Sequence, residues 1–244
     1  MIDLSKITKD GKAMFLAYDQ GMEHGPSDFD DESVDPANIL KIALDGEYTG
    51  VIFQKGVAEK YYTGQVPLIL KLNGKTSFIK EEPYAPQICT VSEAIALGAV
   101  AVGYTIYIGS QEQDKMFTEF AVIEREAHEK GIPVIGWMYP RGKEVVENAE
   151  TIAYAARVGL EMGADIIKVK YPGDFKSMEW VVKSAGRTKV MVAGGAKSTI
   201  VELLEMTKIV MTAGGIGLAI GRNVWQSEEP LVVTQKIKEI IWGN

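Results

Sequence analysis

The sequence predicts an α/β fold: a single (β/α)8 TIM barrel, one domain over residues 1–244. Three observations predict it. Eight short apolar runs recur along the chain. Most are separated by stretches whose apolar residues repeat at helical spacing and stop at glycine. The runs end in chemically rich, glycine-bearing segments, and a barrel keeps its chemistry at the carboxyl ends of its strands.

The first strand is expected over residues 14–19 (MFLAYD). A helix over 35–45 follows, with Ile39, Leu40, Ile42, Ala43 and Leu44 as its apolar positions. The second strand is 50–54 (GVIFQ) and the third 67–73 (PLILKLN). Residues 74–90, with Pro83 and Pro86, read as an irregular loop and not as a domain linker. A short helix over 92–97 stops at Gly98, and the fourth strand lies within 99–107 (AVAVGYTIY). The helix over 116–130 stops at Gly131, with Pro133 beyond it. Strand five is 133–139 (PVIGWMY), and the next helix, 149–162, stops at Gly163. Strand six is 165–171 (DIIKVKY), and its helix, 175–185, stops at Gly186. Strand seven is 190–195 (VMVAGG), and the helix over 200–211 precedes Gly214-Gly215. Strand eight is 216–221 (IGLAIG), and a closing helix covers 229–241. A doubly wound open sheet gives similar local signals, but strand count and spacing favour the barrel.

The bulk properties exclude several function classes. A net charge of −7 argues against nucleic acid or an anionic membrane as partner, while leaving room for a local basic pocket. No apolar run approaches a membrane span, and the polar residues 1–10 give no sign of a signal peptide. The single Cys89 cannot form an intrachain disulfide and fits a reducing, cytoplasmic compartment; it reads as a structural thiol. His24 and His128 are the only histidines, too few and too far apart for a metal cluster, so no metal or other cofactor is expected. His128 sits among charged residues and reads as part of a solvated helix face. His24, in the loop after strand one, suits substrate contact and a turn role equally. The run 215–221 (GIGLAIG) has the wrong glycine spacing for a dinucleotide fingerprint.

The most informative stretch is strand six, an apolar run that carries Lys168 and Lys170. Alternation along a strand points both side chains the same way. Burial and a neighbouring ammonium each disfavour the charged amine, and a neutral lysine is the nucleophile of Schiff-base chemistry. The plain alternative is one lysine paired with a carboxylate and one reaching the rim. The other strand ends shift the balance. Strand one ends in Asp19, then Gln20 and His24. Strand five ends in Trp137, Tyr139 and Arg141. Strand seven ends in Ala193, Gly194 and Gly195, and strand eight in Gly221 and Arg222. Singly, each suits a cap, a turn, a packed ring or a surface cation. Jointly, at one rim, they suit an active site. The glycines after strands seven and eight match the usual phosphate site of barrels.

Five motifs in order, YDQGMEHGP, WMYPRG, KVKY, GGAK and GRNVWQ, resemble the archaeal-type class I fructose-bisphosphate aldolases of the DeoC/FbaB superfamily. The resemblance spans nearly the whole chain. It implies a barrel, a lysine Schiff base and a homo-oligomer, often a decamer built from pentamers. It implies Lys170 as the Schiff-base lysine, Tyr139 as proton donor and acceptor, and Asp19 and Trp137 as active-site neighbours. Position agrees with the first of these, since Lys170 lies nearer the carboxyl end of the run than Lys168. His24, Arg141, Gly194, Gly195, Gly221 and Arg222 match substrate and phosphate contacts, with Gln20, Lys168 and Ala193 beside them. Ala193 and Ala196 stand where the family commonly has Ser and Pro, and Pro172 where it has Thr, which bears on substrate preference. The activity implied is reversible cleavage of fructose 1,6-bisphosphate, a sugar phosphate of glycolysis and gluconeogenesis. Two alternatives share the motifs: a related Schiff-base lyase or transaldolase-like enzyme for another phosphorylated ketose, and a non-catalytic phosphosugar-binding barrel.

Overall fold

A computed structural model describes residues 2–243. Eight parallel strands close into a barrel in sequence order, with the eighth pairing back onto the first. They are β1 (Ala13–Ala17), β2 (Gly50–Gln54), β3 (Leu68–Lys71), β4 (Ala99–Ile108), β5 (Val134–Pro140), β6 (Ile166–Val169), β7 (Lys189–Ala193) and β8 (Gly217–Ile220). The predicted barrel is therefore found, and each strand falls within two residues of its expected limits.

The helices are α1 (Gly21–His24), α2 (Pro36–Asp45), α3 (Lys55–Tyr61), α4 (Val91–Ala96), α5 (Gln113–Glu129), α6 (Ala149–Glu161), α7 (Phe175–Ser184), α8 (Ile200–Thr212), α9 (Arg222–Trp225) and α10 (Pro230–Trp242). Their starts are set by local chemistry. The side chains of Thr90, Asn148 and Thr199 each take part in reciprocal capping boxes with the third helical residue. Asp35 accepts from the Ala37 amide, ahead of Pro36 in the first turn. The chain leaves α5 through Gly131 at φ 70°, a conformation costly for a residue with a Cβ. The sequence reading missed α1, α3 and α9, all of seven residues or fewer, too short to show a helical period.

Two layers of packing hold the barrel. Helices cover its outside through residues such as Ile39, Phe120, Ile123 and Ile237. Inside, Ile7 joins Phe15, Ile52, Ile69, Ile135, Ile166 and Met191 in one buried cluster. The interior is thus filled below and opens only at the carboxyl ends, where Lys71, Trp137 and Lys168 take inward positions. Cys89 is buried, and burial pushes its thiol up to about 11, as fits a structural thiol. His128 departs from its expected solvated role. It is half-buried, and its two ring nitrogens lie 2.9 Å from Glu124 and Asp165, tying α5 to the residue before β6.

Candidate active site

The parallel register builds the site. Lys71 on β3 stands opposite Gly103 on β4, and Trp137 on β5 stands opposite Lys168 on β6. Gly103 is required by the indole, because a Cβ there would lie 1.8 Å from Cζ3 of Trp137. The ring therefore reaches toward β4 and meets two lysines. The Lys168 ammonium nitrogen sits 4.8 Å from the ring centroid and that of Lys71 sits 5.2 Å from it. Trp137 is buried, and its Nε1 donor has no partner among the described residues.

Asp19 follows β1, with the neighbouring backbone pinned from both sides. Tyr18 donates to the Ser33 carbonyl at 2.6 Å, and Trp225 donates to the Ala17 carbonyl at 3.1 Å. The Asp19 carboxylate lies 3.5 Å from Lys71 Nζ. Burial opposes its charge, but Lys168 and Lys71 outweigh that and hold it below the usual carboxylate range. The same surroundings act oppositely on the lysines. Burial draws Lys168 down to about 8, with Asp19 opposing and Lys71 assisting. Burial also draws Lys71 down, against Asp19 and Glu23. Tyr139 is held well above its ordinary value, first by burial and then by Asp19, so its phenol is neutral in the free site.

Here the expected burial of Lys170 within strand six needs correction. The β6 ladder ends at Val169, and Lys170 lies beyond it. Its side chain is 50% exposed and is paired with Glu147 at 2.6 Å. Lys168, by contrast, is 5% exposed, and no carboxylate lies within 4.0 Å of its nitrogen among the described residues. The two lysines do share the alternation expected of them, and both line the cavity. Only Lys168 occupies the desolvated interior that makes an amine neutral. The physical reason is that β6 stops two residues before the apolar run does.

The cavity of about 540 Å³ above this layer gathers every residue singled out from the sequence: Asp19, Gln20, His24, Trp137, Tyr139, Arg141, Lys168, Lys170, Ala193, Gly194, Gly195, Gly221 and Arg222. On one side, Asn223 donates to the carbonyls of Gly194 and Ala196 at 2.7 and 2.9 Å and so folds the loop after β7. Arg222 reaches the Gly195 carbonyl at 3.2 Å and Asp28 at 3.4 Å. Gly194 must be glycine because a Cβ would lie 2.9 Å from Ile220 Cγ1. On the opposite side, Arg141 lies 5.3 Å from the Tyr107 ring and 2.8 Å from Glu23. His24 is 2.6 Å from Asp28, the carboxylate that Arg222 also approaches, and so stands beside Arg222. Two cationic rims therefore flank a central lysine. The sequence reading did not single out Lys71, Tyr107, Glu23, Glu147 or Asn223. Lys71 carried a usable signal, a lysine inside the apolar run LILKLN.

Comparison with known proteins agrees with this chemistry. The profile of the DeoC/LacD family aldolases matches residues 13–227. A fructose-bisphosphate aldolase class 1 from Thermoproteus tenax is 50% identical over 239 residues, 96% of this chain and 91% of the relative. One of the same description from Halobacterium salinarum is 42% identical over 245 residues, 98% and 93% of the two chains. Among solved structures, an archaeal fructose-1,6-bisphosphate aldolase with its catalytic lysine covalently bound to the carbinolamine intermediate of the substrate superposes with a TM-score of 0.96. It is 48% identical, with 98% of each chain covered.

Proposed function

This chain belongs to the DeoC/LacD family of aldolases, and on that footing we propose that it is a class I fructose-bisphosphate aldolase with Lys168 as its Schiff-base nucleophile. The observation that carries the assignment is a buried amine, drawn down to about 8, facing the cavity without a carboxylate of its own. A neutral amine can attack a carbonyl, and an ammonium cannot.

The amine adds to C2 of the open-chain ketose. The carbinolamine takes up a proton and loses water, leaving an iminium. Removal of the C4 hydroxyl proton breaks the C3–C4 bond, and its electron pair passes through C3 into the iminium. Glyceraldehyde 3-phosphate leaves, and an enamine remains on Lys168. Protonation at C3 and addition of water release dihydroxyacetone phosphate and restore the amine. Tyr139 is the proton carrier in this scheme: neutral at rest, and favoured as phenolate once the iminium cation forms beside it. Asp19, held ionised, orients the substrate hydroxyls, with Gln20 alongside. Arg222, with His24 beside it, and the backbone at Gly194, Gly195 and Gly221 receive one phosphate, and Arg141 the other. Holding both ends aligns the scissile bond.

The chain acts as one catalytic domain over residues 1–244 and works as a cytoplasmic homo-oligomer. In support of assembly, large apolar side chains remain exposed on neighbouring outer helices, among them Tyr154 on α6, Trp180 on α7 and Val201 on α8. No helix among the described residues is long and apolar enough to cross a membrane.

Cleavage of fructose 1,6-bisphosphate, followed across pH in the presence of a metal chelator, tests the reading. Turnover is expected to persist, and kcat/KM to climb with pH to a plateau above about 8, as the Lys168 amine loses its proton. Loss of turnover in chelator, restored by zinc, would count against Schiff-base chemistry. Preference for a different phosphorylated ketose in a substrate panel would keep the chemistry and change the substrate.

A further inference from the structure

Lys71 is a second buried lysine in the same layer, 7% exposed, and the scheme above leaves it unused. A buried ammonium on a barrel strand is costly unless paired. Its partner is Asp19, at 3.5 Å, whereas Lys168 has no carboxylate within 4.0 Å among the described residues. One carboxylate thus stands between two amines and is bonded to the one that is not the proposed nucleophile.

We propose that Lys71 is a positioning residue of the aldol reaction: by taking the Asp19 carboxylate, it leaves the Lys168 amine without an ion-pair partner and free to attack. The role rests on the assignment of Lys168 as nucleophile. The groups that face Lys168 from the surrounding elements support it. Asp19 follows β1, with Glu23 and His24 beyond it. Lys71 comes from β3, Tyr107 from β4, Tyr139 from β5 and Arg222 from the segment after β8. β2, β7 and β8 bring Ile52, Gln54, Met191, Ala193 and Ala219 to this side, none of them ionisable. Lys170, beyond the end of β6, is taken by Glu147, and Arg141 by Glu23. Asp19 is therefore the carboxylate placed to choose between the two buried amines. Without Lys71 it would turn to Lys168 and hold it as an ammonium, since a neighbouring opposite charge favours the charged form.

The test compares wild type, Lys71→Met and Lys71→Arg in their pH dependence of kcat/KM for fructose 1,6-bisphosphate and of cyanoborohydride labelling at Lys168. In Lys71→Met the acid limb should move up by about one pH unit or more, with labelling at pH 7 reduced roughly tenfold and recovering in alkali. Lys71→Arg keeps the cation, should fold even where the apolar variant does not, and should leave the limb at its wild-type position. A purely structural lysine would instead lower activity by the same factor at every pH. That result in Lys71→Met overturns the proposal, as does a limb displaced in Lys71→Arg. Failure of wild type itself to label at Lys168 would remove the parent assignment, and this role with it.

Discussion

Lys168→Met is expected to abolish covalent capture of the ketose and to lower turnover by about 10⁴-fold or more, the scale on which loss of an enzyme nucleophile is felt. The fold should survive, because methionine nearly matches the lysine stem in length and removes a buried amine that has no carboxylate partner. Melting temperature equal to or above wild type is the accompanying expectation. Lys170→Met is the contrasting variant. Lys170 is half-exposed and paired with Glu147 at the cavity mouth, where an ion pair contributes little to stability. It should still form the Schiff base and should lose at most about tenfold in kcat/KM, through weaker attraction of an anionic substrate. Steady-state kinetics and a thermal melt on the two variants check both halves. The reverse pattern, with Lys170→Met inactive and Lys168→Met active, would return the nucleophile to the mouth.

Tyr139→Phe carries the second large effect. The phenol lines the cavity with Lys168, and burial together with Asp19 keeps it protonated in the free site. An iminium at Lys168 reverses that bias by placing a cation beside it. Removing the hydroxyl while keeping the ring should therefore leave binding and trapping intact and lower turnover by about 10²-fold or more, the usual size of a general acid–base contribution. Single-turnover measurement separates the steps: adduct should form near the wild-type rate and cleave slowly. If Tyr139 only packs against its neighbours, the variant will turn over like wild type, and Asp19 becomes the next candidate for the proton.

The barrel was legible because its signals are local. Apolar runs of five to nine residues and glycine stops are written within a few positions, and the closed sheet follows from their count and order. The rim was legible too, since carboxyl ends of strands converge in any barrel. What the sequence did not disclose is where each strand lets go. The run DIIKVKY reads as one strand, and alternation places its two lysines alike. Yet pairing with β5 reaches only Lys168 and pairing with β7 only Val169, so the second lysine projects from the mouth. Nearness to the end of an apolar run was a poor guide to burial, because strand ends are set by pairing across the sheet. Lys71 was overlooked for a related reason. Its carboxylate partner lies 52 positions away in the chain, after β1, and only closure of the barrel brings them together.

The most direct measurement is reduction of the enzyme with borohydride in the presence of fructose 1,6-bisphosphate, followed by tryptic peptide mapping. A modified lysine resists trypsin, so the two candidates leave different peptides. Modification of Lys168 joins residues 158–170 into one labelled peptide, and modification of Lys170 yields a labelled peptide of residues 169–176. The structure predicts the label on residues 158–170, carried by Lys168. Label on residues 169–176, or no label at all, would contradict it.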